Sequence, residues 1–208
     1  MSARVDRVVT SGTFSLDGGT WDVDNNVWLI GDDSEVLVID AAHDADAIAA
    51  AVGERRVTAV LCTHGHNDHV TVAPELAKRL DAPILLHPGD EPLWRMTHPE
   101  VGYRSLEGTD RLTVAGVDID IVHTPGHSPG SVSLYVPDLN ALFTGDTLFA
   151  GGPGATGRSF SDFDTIIDSI RDRLLTLPEE TRVHTGHGEG TTIGAEKPSL
   201  ADWIARGH

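Results

Sequence analysis

The segment Thr63-His64-Gly65-His66-Asn67-Asp68-His69 crowds three imidazoles and a carboxylate into the six residues from His64 to His69. Neutral imidazole nitrogen suits zinc or iron, and carboxylate oxygen can bridge two cations, so this is the ligand chemistry of a metal nest. Residues 64 and 66, two apart on extended backbone, project to the same side, while Asp68 and His69 would lie at the entry of a helix expected to start around Val70. Three later segments put more donors on glycine-containing turns: His123-Thr124-Pro125-Gly126-His127-Ser128-Pro129-Gly130, Thr144-Gly145-Asp146-Thr147 and His184-Thr185-Gly186-His187-Gly188. Each follows a β-type run. Strand ends on one edge of a sheet share a rim, which would carry His127, Asp146 and His187 towards the His64 cluster.

The elements that must position these groups follow from apolar periodicity. Val27–Ile30 and Val36–Ile39 read as a hairpin around Gly31-Asp32-Asp33-Ser34, followed by a helix from Asp44 to Val52 and a strand over Val57–Leu61. Thr71 to Leu80 reads as a second amphipathic helix and Ile84–Leu86 as the strand beyond it. In the second half, Leu112–Val114 and Val117–Val122 pair through Ala115-Gly116, and Val132–Val136 pairs with Ala141–Thr144 across Pro137-Asp138-Leu139-Asn140. A 3.6-period apolar stripe predicts a covering helix over Phe163–Leu177, stopped by Pro178; Arg182–His184 is a last short strand and Ser199–Arg206 a closing helix. Strands with covering helices in both halves suit a four-layer αββα sandwich, although periodicity alone equally allows an open α/β sheet.

Composition narrows the function classes. A length of 208 residues predicts a single domain over residues 1–208. With 15 Lys and Arg against 32 Asp and Glu, the net charge of −17 repels phosphate backbones and anionic lipid, so no nucleic-acid or membrane partner is expected. The single cysteine, Cys62, excludes an internal disulfide and a cysteine-based zinc finger. No apolar run resembles a signal peptide or a membrane span, which makes a cytoplasmic location the expectation. A homo-oligomer is left open.

HxHxDH at 64–69, PGHSPG at 125–130, GDTLF at 145–149 and GHG at 186–188 occur together in this order, and in that combination the chain resembles the metallo-β-lactamase superfamily, most of all its glyoxalase II-like branch. The similarity runs from about Asn26 to Lys197. It implies the αββα fold and a metal-dependent hydrolase. It also implies that His64, His66 and His127 hold one divalent metal, that Asp68, His69 and His187 hold a second, and that Asp146 bridges them; zinc is the first expectation, with iron or manganese as alternatives. Asp68 and Asp146 are thereby the carboxylates closest to the chemistry. The resemblance further suggests that Asp40, at the end of the run Val38-Ile39-Asp40, accepts a hydrogen bond from a ligand imidazole.

The implied activity is cleavage of an S-(2-hydroxyacyl) low-molecular-weight thiol, a thioester, by a metal-bridging hydroxide. A thiol leaves as thiolate without protonation, whereas an amine must be protonated, and the sequence offers no dedicated acid beyond the ligand set. Three alternatives stand beside it: a mononuclear-iron persulfide dioxygenase, similar in all these motifs, with His64, His127 and Asp146 as the iron face; a lactonase or other esterase of the same fold; and a non-catalytic metal-binding module. His184 is expected at best to support a ligand from behind, as is His123, while His43, His87, His98 and His208 default to loop or surface positions. Cys62 reads as a buried, inert thiol. Gly151–Arg158 lacks the Lys-Ser/Thr of a phosphate loop and reads as a rim loop, from which Arg158, together with Lys197 further on, is a candidate substrate contact.

Overall fold

The computed structural model describes residues 2–207. The first sheet runs in spatial order through β1 (Arg4–Leu16), β2 (Gly19–Gly31), β3 (Glu35–Ile39), β4 (Arg56–Leu61), β5 (Ile84–Leu86) and β6 (Arg104–Ser105). Its first three strands are antiparallel and the rest join in parallel. The second half contributes β7 (Arg111–Val114), β8 (Val117–His123), β9 (Val132–Val136) and β10 (Ala141–Gly145), then a separate small hairpin of β11 (Leu148–Phe149) and β12 (Gly152–Pro153), then β13 (Arg182–Thr185) and β14 (Thr191–Thr192). The second sheet has the order β14-β13-β10-β9-β8-β7.

The strands sort their apolar residues by period two. Val36 and Val38 of β3 face a core built with α1 (Ala45–Val52), α2 (Asn67–Val70), α3 (Ala73–Arg79) and α4 (Glu91–Thr97). Leu37 and Ile39, one residue out of phase, face the second sheet with Trp28, Ile119, Leu134 and Phe143. A third core lies between that sheet and α5 (Phe163–Ser169), α6 (Ile193–Glu196) and α7 (Leu200–Arg206), around Leu142, Ile166, Val183 and Trp203. Helix, sheet, sheet, helix is the expected αββα sandwich. Among the described residues no helix is long and apolar enough to cross a membrane.

Two local expectations are corrected and one strand is added. The helix expected over Thr71–Leu80 starts only at Ala73, as α3, and a separate one-turn helix, α2, covers Asn67–Val70, so Asp68 and His69 lie inside a helix and not at its entry. Pro74 in the first turn of α3 has no N–H to donate, which makes it a helix start and not a helix interior. The helix from Phe163 keeps α geometry only to Ser169 and widens into a π-type turn over Ile170–Leu174. The largest addition is β1, which pairs with β2 along its whole length through Asp17-Gly18, both at positive φ (52° and 78°), the two-residue turn that matches strand twist.

Topology sets the rim. β3 and β4 are parallel, and β10 runs parallel to β13 and, through two antiparallel steps, to β8. Their C-terminal ends therefore meet at one end of the sandwich, and the segments after β4, β8, β10 and β13 carry His64–His69, His127, Asp146 and His187.

Candidate metal centre

The seven side chains converge. Their ligand atoms form three groups whose atoms all lie within 4.8 Å of one another: His64, His66 and His127; His64, His69 and Asp146; and Asp68, His69 and His187. Asp146 sits between the other two groups, its oxygens 3.4 Å from His69 Nε2, 3.7 Å from His127 Nε2 and 3.3 Å from His187 Nε2.

Four of the five ligand imidazoles have one nitrogen committed to the protein, His64 Nδ1 lying 3.1 Å from Thr63 Oγ1, whereas His66 has His127 Nε2 beside its Nδ1 and a buried, unpartnered Nε2. His69 Nδ1 donates to Asp40 Oδ2 at 2.9 Å, His187 Nδ1 to the Asp24 carbonyl at 2.7 Å and His127 Nδ1 to the Ala155 carbonyl at 2.9 Å. In neutral tautomers that leaves the Nε2 lone pairs of His69 and His187 facing each other across 3.2 Å, and His127 Nε2 facing His66 Nδ1 across 3.0 Å. His64 Nε2, Asp68 Oδ1 and Asp146 Oδ1 are buried without a hydrogen-bond partner. Opposed lone pairs and orphaned buried acceptors are what cations would satisfy, so the donor set fits two divalent metals with three protein ligands each and a shared carboxylate.

The electrostatics point the same way. Burial holds His64 well below the usual imidazole range, helped by the neighbouring His69 and His66, and pushes His66 down to about 3. Burial alone would favour neutral Asp146, but His69 and His187 beside it hold its carboxyl well below the ordinary value. At His187 burial opposes charge, yet Asp146 lifts its pKa to about 10. This end of the cluster is strongly negative in potential and draws positive charge onto itself.

Asp40 is placed as the resemblance implied. It has positive φ (59°), accepts from the Thr63 N–H at 2.7 Å and from Thr63 Oγ1 at 2.8 Å, and thus fixes the start of the His64 loop as well as His69. His184 is placed differently: its ring lies between Trp28 and Phe143, with centroids at 4.5 Å and 4.7 Å, and it holds no ligand. The residues at 184 and 187 are separated by a turn that takes His187 to the rim and leaves His184 in the sheet. His123 stacks on His87 and donates to the Pro129 carbonyl, beneath the loop that carries His127. Lys197 is exposed and is not among the residues lining the cavity; Glu196 before it is buried, accepting from the Gly151 N–H and Thr191, which leaves Lys197 on the far side.

The cavity over the cluster has a volume of about 330 Å³ and is walled by Phe14, Trp21 and Phe149, with Arg158 at its rim. Phe14 and Trp21 face each other across the β1–β2 hairpin, stacked at 5.7 Å. Arg158 lies over them, its Cζ 3.9 Å from the Trp21 ring centre and 5.6 Å from that of Phe14. The rim loop also passes close over Asp146: Gly154 sits where any Cβ would collide with the Asp146 carbonyl, and the next residue supplies the acceptor for His127.

Two of the contributors that sequence reasoning missed shape the site at the level of its loops and walls. The first is the β1 strand, whose Asp17-Gly18 turn was the available signal. The second is Asp90, fully buried, which accepts from the Gly65 N–H at 2.7 Å, Ser128 Oγ at 2.7 Å and the Gly130 N–H. One carboxylate thereby ties the loop of His64 and His66 to the loop of His127. Nothing in His87-Pro88-Gly89-Asp90 beyond a turn signal marks that role.

Comparison with known proteins agrees with this geometry. Residues 20–187 match the metallo-β-lactamase superfamily profile. A probable metallo-hydrolase, YqgX of Bacillus subtilis, is 35% identical over 83% of this chain and 89% of its own length. Hydroxyacylglutathione hydrolase GloC of Haemophilus influenzae is 33% identical over 84% of this chain and 90% of its own. The crystal structure of TTHA1623 in a di-iron-bound form superposes with a TM-score of 0.77 at 33% identity, covering 90% of this chain and 96% of that one. The chain belongs to the metallo-β-lactamase superfamily of metal-dependent hydrolases.

Proposed function

We propose that the chain hydrolyses the thioester of an S-acyl low-molecular-weight thiol, and that the substrate carries an anionic group which Arg158 engages. The observation that carries this reading is the open cavity above two three-ligand groups sharing Asp146. Two divalent ions held by these residues would supply Lewis acidity and lower the pKa of water to about 7. The residues do the rest. Asp40, Asp24 and Ala155 fix the imidazole tautomers, the aromatic walls of Phe14, Trp21 and Phe149 exclude water from an apolar acyl or thiol body, and Asp146 stays ionised between the two groups.

The leaving group decides between substrates. Beyond the ligands, the cavity's polar side chains are those of Arg158, Ser159 and Ser161, and none is a proton donor matched to an amine. A thiol of pKa about 8.5 departs unassisted, which favours thioester over amide. The 33% identity to a hydroxyacylglutathione hydrolase supports the same class.

Arg158 sits over the Trp21 ring and, among the described residues, makes no hydrogen bond through its guanidinium; it feels the charge of the Asp17 carboxylate without bonding to it, so its donors are available at the mouth of a cavity in an otherwise acidic molecule. The test is a panel of thioesters with matched pairs differing only in a free carboxylate or its methyl ester, assayed after metal quantification. With two ions bound, the carboxylate-bearing members should be cleaved without oxygen, and Arg158→Gln should lower their kcat/KM by about 10- to 100-fold while leaving the methyl esters near wild type, as expected for losing a charge-assisted hydrogen bond. Equal losses on both members of a pair would overturn the Arg158 assignment. A single bound iron with sulfur-dependent oxygen uptake would overturn the hydrolytic reading itself.

A further inference from the structure

Within the second ligand group, His69 is steered by Asp40 and His187 by the Asp24 carbonyl. Asp68 is 2% exposed, and apart from those two imidazoles its carboxylate has one hydrogen-bond partner among the described residues: Asn25 Nδ2 donates to Oδ2 at 3.1 Å. Asn25 is itself fully buried, and its Oδ1 lies 2.8 Å from His43 Nε2. The direction of this chain is forced. A carboxylate accepts only, so the amide must turn its NH₂ to Asp68 and its oxygen to His43, and His43 Nε2 must then carry the proton. His43 donates to Asn25, which donates to Asp68.

The backbone is shaped to hold the ring there. His43 has positive φ (58°), in the turn that also carries Asp40, and its ring lies against Gly12 of β1, where any Cβ would collide with it. Thr10 Oγ1, on the same strand, ties the turn down by donating to the Ala42 carbonyl at 2.9 Å. The first ligand group is supported from elsewhere, by Thr63 at His64, Ala155 at His127 and Asp90 beneath both loops.

We propose that His43 and Asn25 are positioning residues for Asp68, a relay that sets the affinity of the Asp68–His69–His187 group for its ion without acting on the His64–His66–His127 group. The inference rests on the two-ion reading. Fixing the carboxylate rotamer removes an ordering cost from ion binding, and hydrogen bonds of this outer kind are typically worth about 10- to 100-fold in metal affinity.

The test uses the full chain, stripped with a chelator and titrated with Zn²⁺ against a chromophoric competitor, and with Co²⁺ for the absorption of each site as it fills. His43→Phe keeps the ring on Gly12 but removes the donor, Asn25→Leu removes the amide at similar volume, and His43→Gln restores a donor. The wild type should bind two ions. His43→Phe and Asn25→Leu should weaken one of the two ions only, by about 10- to 100-fold, with the cobalt spectrum of the other unchanged and the metal-free Tm of His43→Phe near wild type, and His43→Gln should recover most of the loss. Wild-type affinity for both ions in both variants, or equal weakening of both ions, would overturn the relay. A wild type that takes a single ion would overturn the two-ion reading and the relay with it.

Discussion

A histidine's role in this chain is decided by what its second nitrogen meets. Where one nitrogen donates to a fixed oxygen, as in His69, His127 and His187, the other is left as a lone pair aimed at the centre. His184 meets neither an oxygen nor the centre. Burial between Trp28 and Phe143 pushes it from the ordinary 6.5 down to about 4, and its Nε2 is buried without a partner. Between those two values the unfolded chain takes up a proton that the folded chain refuses, so His184 makes stability fall as pH drops from about 6.5 towards about 4, by up to about 3 kcal/mol. His184→Phe should remove this component: urea unfolding followed across that range should show a flatter loss of stability than wild type, and an unchanged slope would contradict the assignment.

At the scale of elements, the centre depends on segments after strands being held to one another. Asp90 is the clearest case, since its carboxylate satisfies Gly65, Ser128 and Gly130 from two different ligand loops. Asp90→Leu leaves those donors buried and unpaired at a cost of about 1–3 kcal/mol each, so a large drop in Tm and weaker binding at the His64–His66–His127 group should come together in thermal and metal titrations. Wild-type values of both would show that the tie is idle. The strands that carry ligands were legible as apolar or alternating runs: β10 is buried throughout and β4 over Ala59–Leu61, while β8 alternates buried with partly exposed residues. β1 was not, because Arg4–Leu16 is half solvated and alternates apolar with polar, leaving no continuous run to mark it. Asp90, Asn25 and His43 were illegible for a different reason: their roles exist only in contacts across 18 to 43 residues of sequence, which no local pattern encodes.

For the whole molecule, the sandwich turns sequence order into a single rim. Parallel β3 and β4 in one sheet and co-directional β8, β10 and β13 in the other deliver their C-terminal segments to the same end. The motif set was legible as a set because residue type and order survive in the sequence, while the aromatic wall of Phe14 and Trp21 required the hairpin to fold over the rim. A net charge of −17 surrounds a site whose mouth offers Arg158, a cation fixed by stacking where an anionic substrate group would arrive. All of this turns on whether the seven side chains hold two ions. Diffraction from zinc-soaked crystals, with anomalous differences recorded at the zinc edge, measures that directly. Two peaks about 3.5–4 Å apart are expected, one bonded to His64, His66 and His127, the other to Asp68, His69 and His187, with Asp146 reaching both. One peak closed by four protein ligands, or none at these residues, would contradict the account.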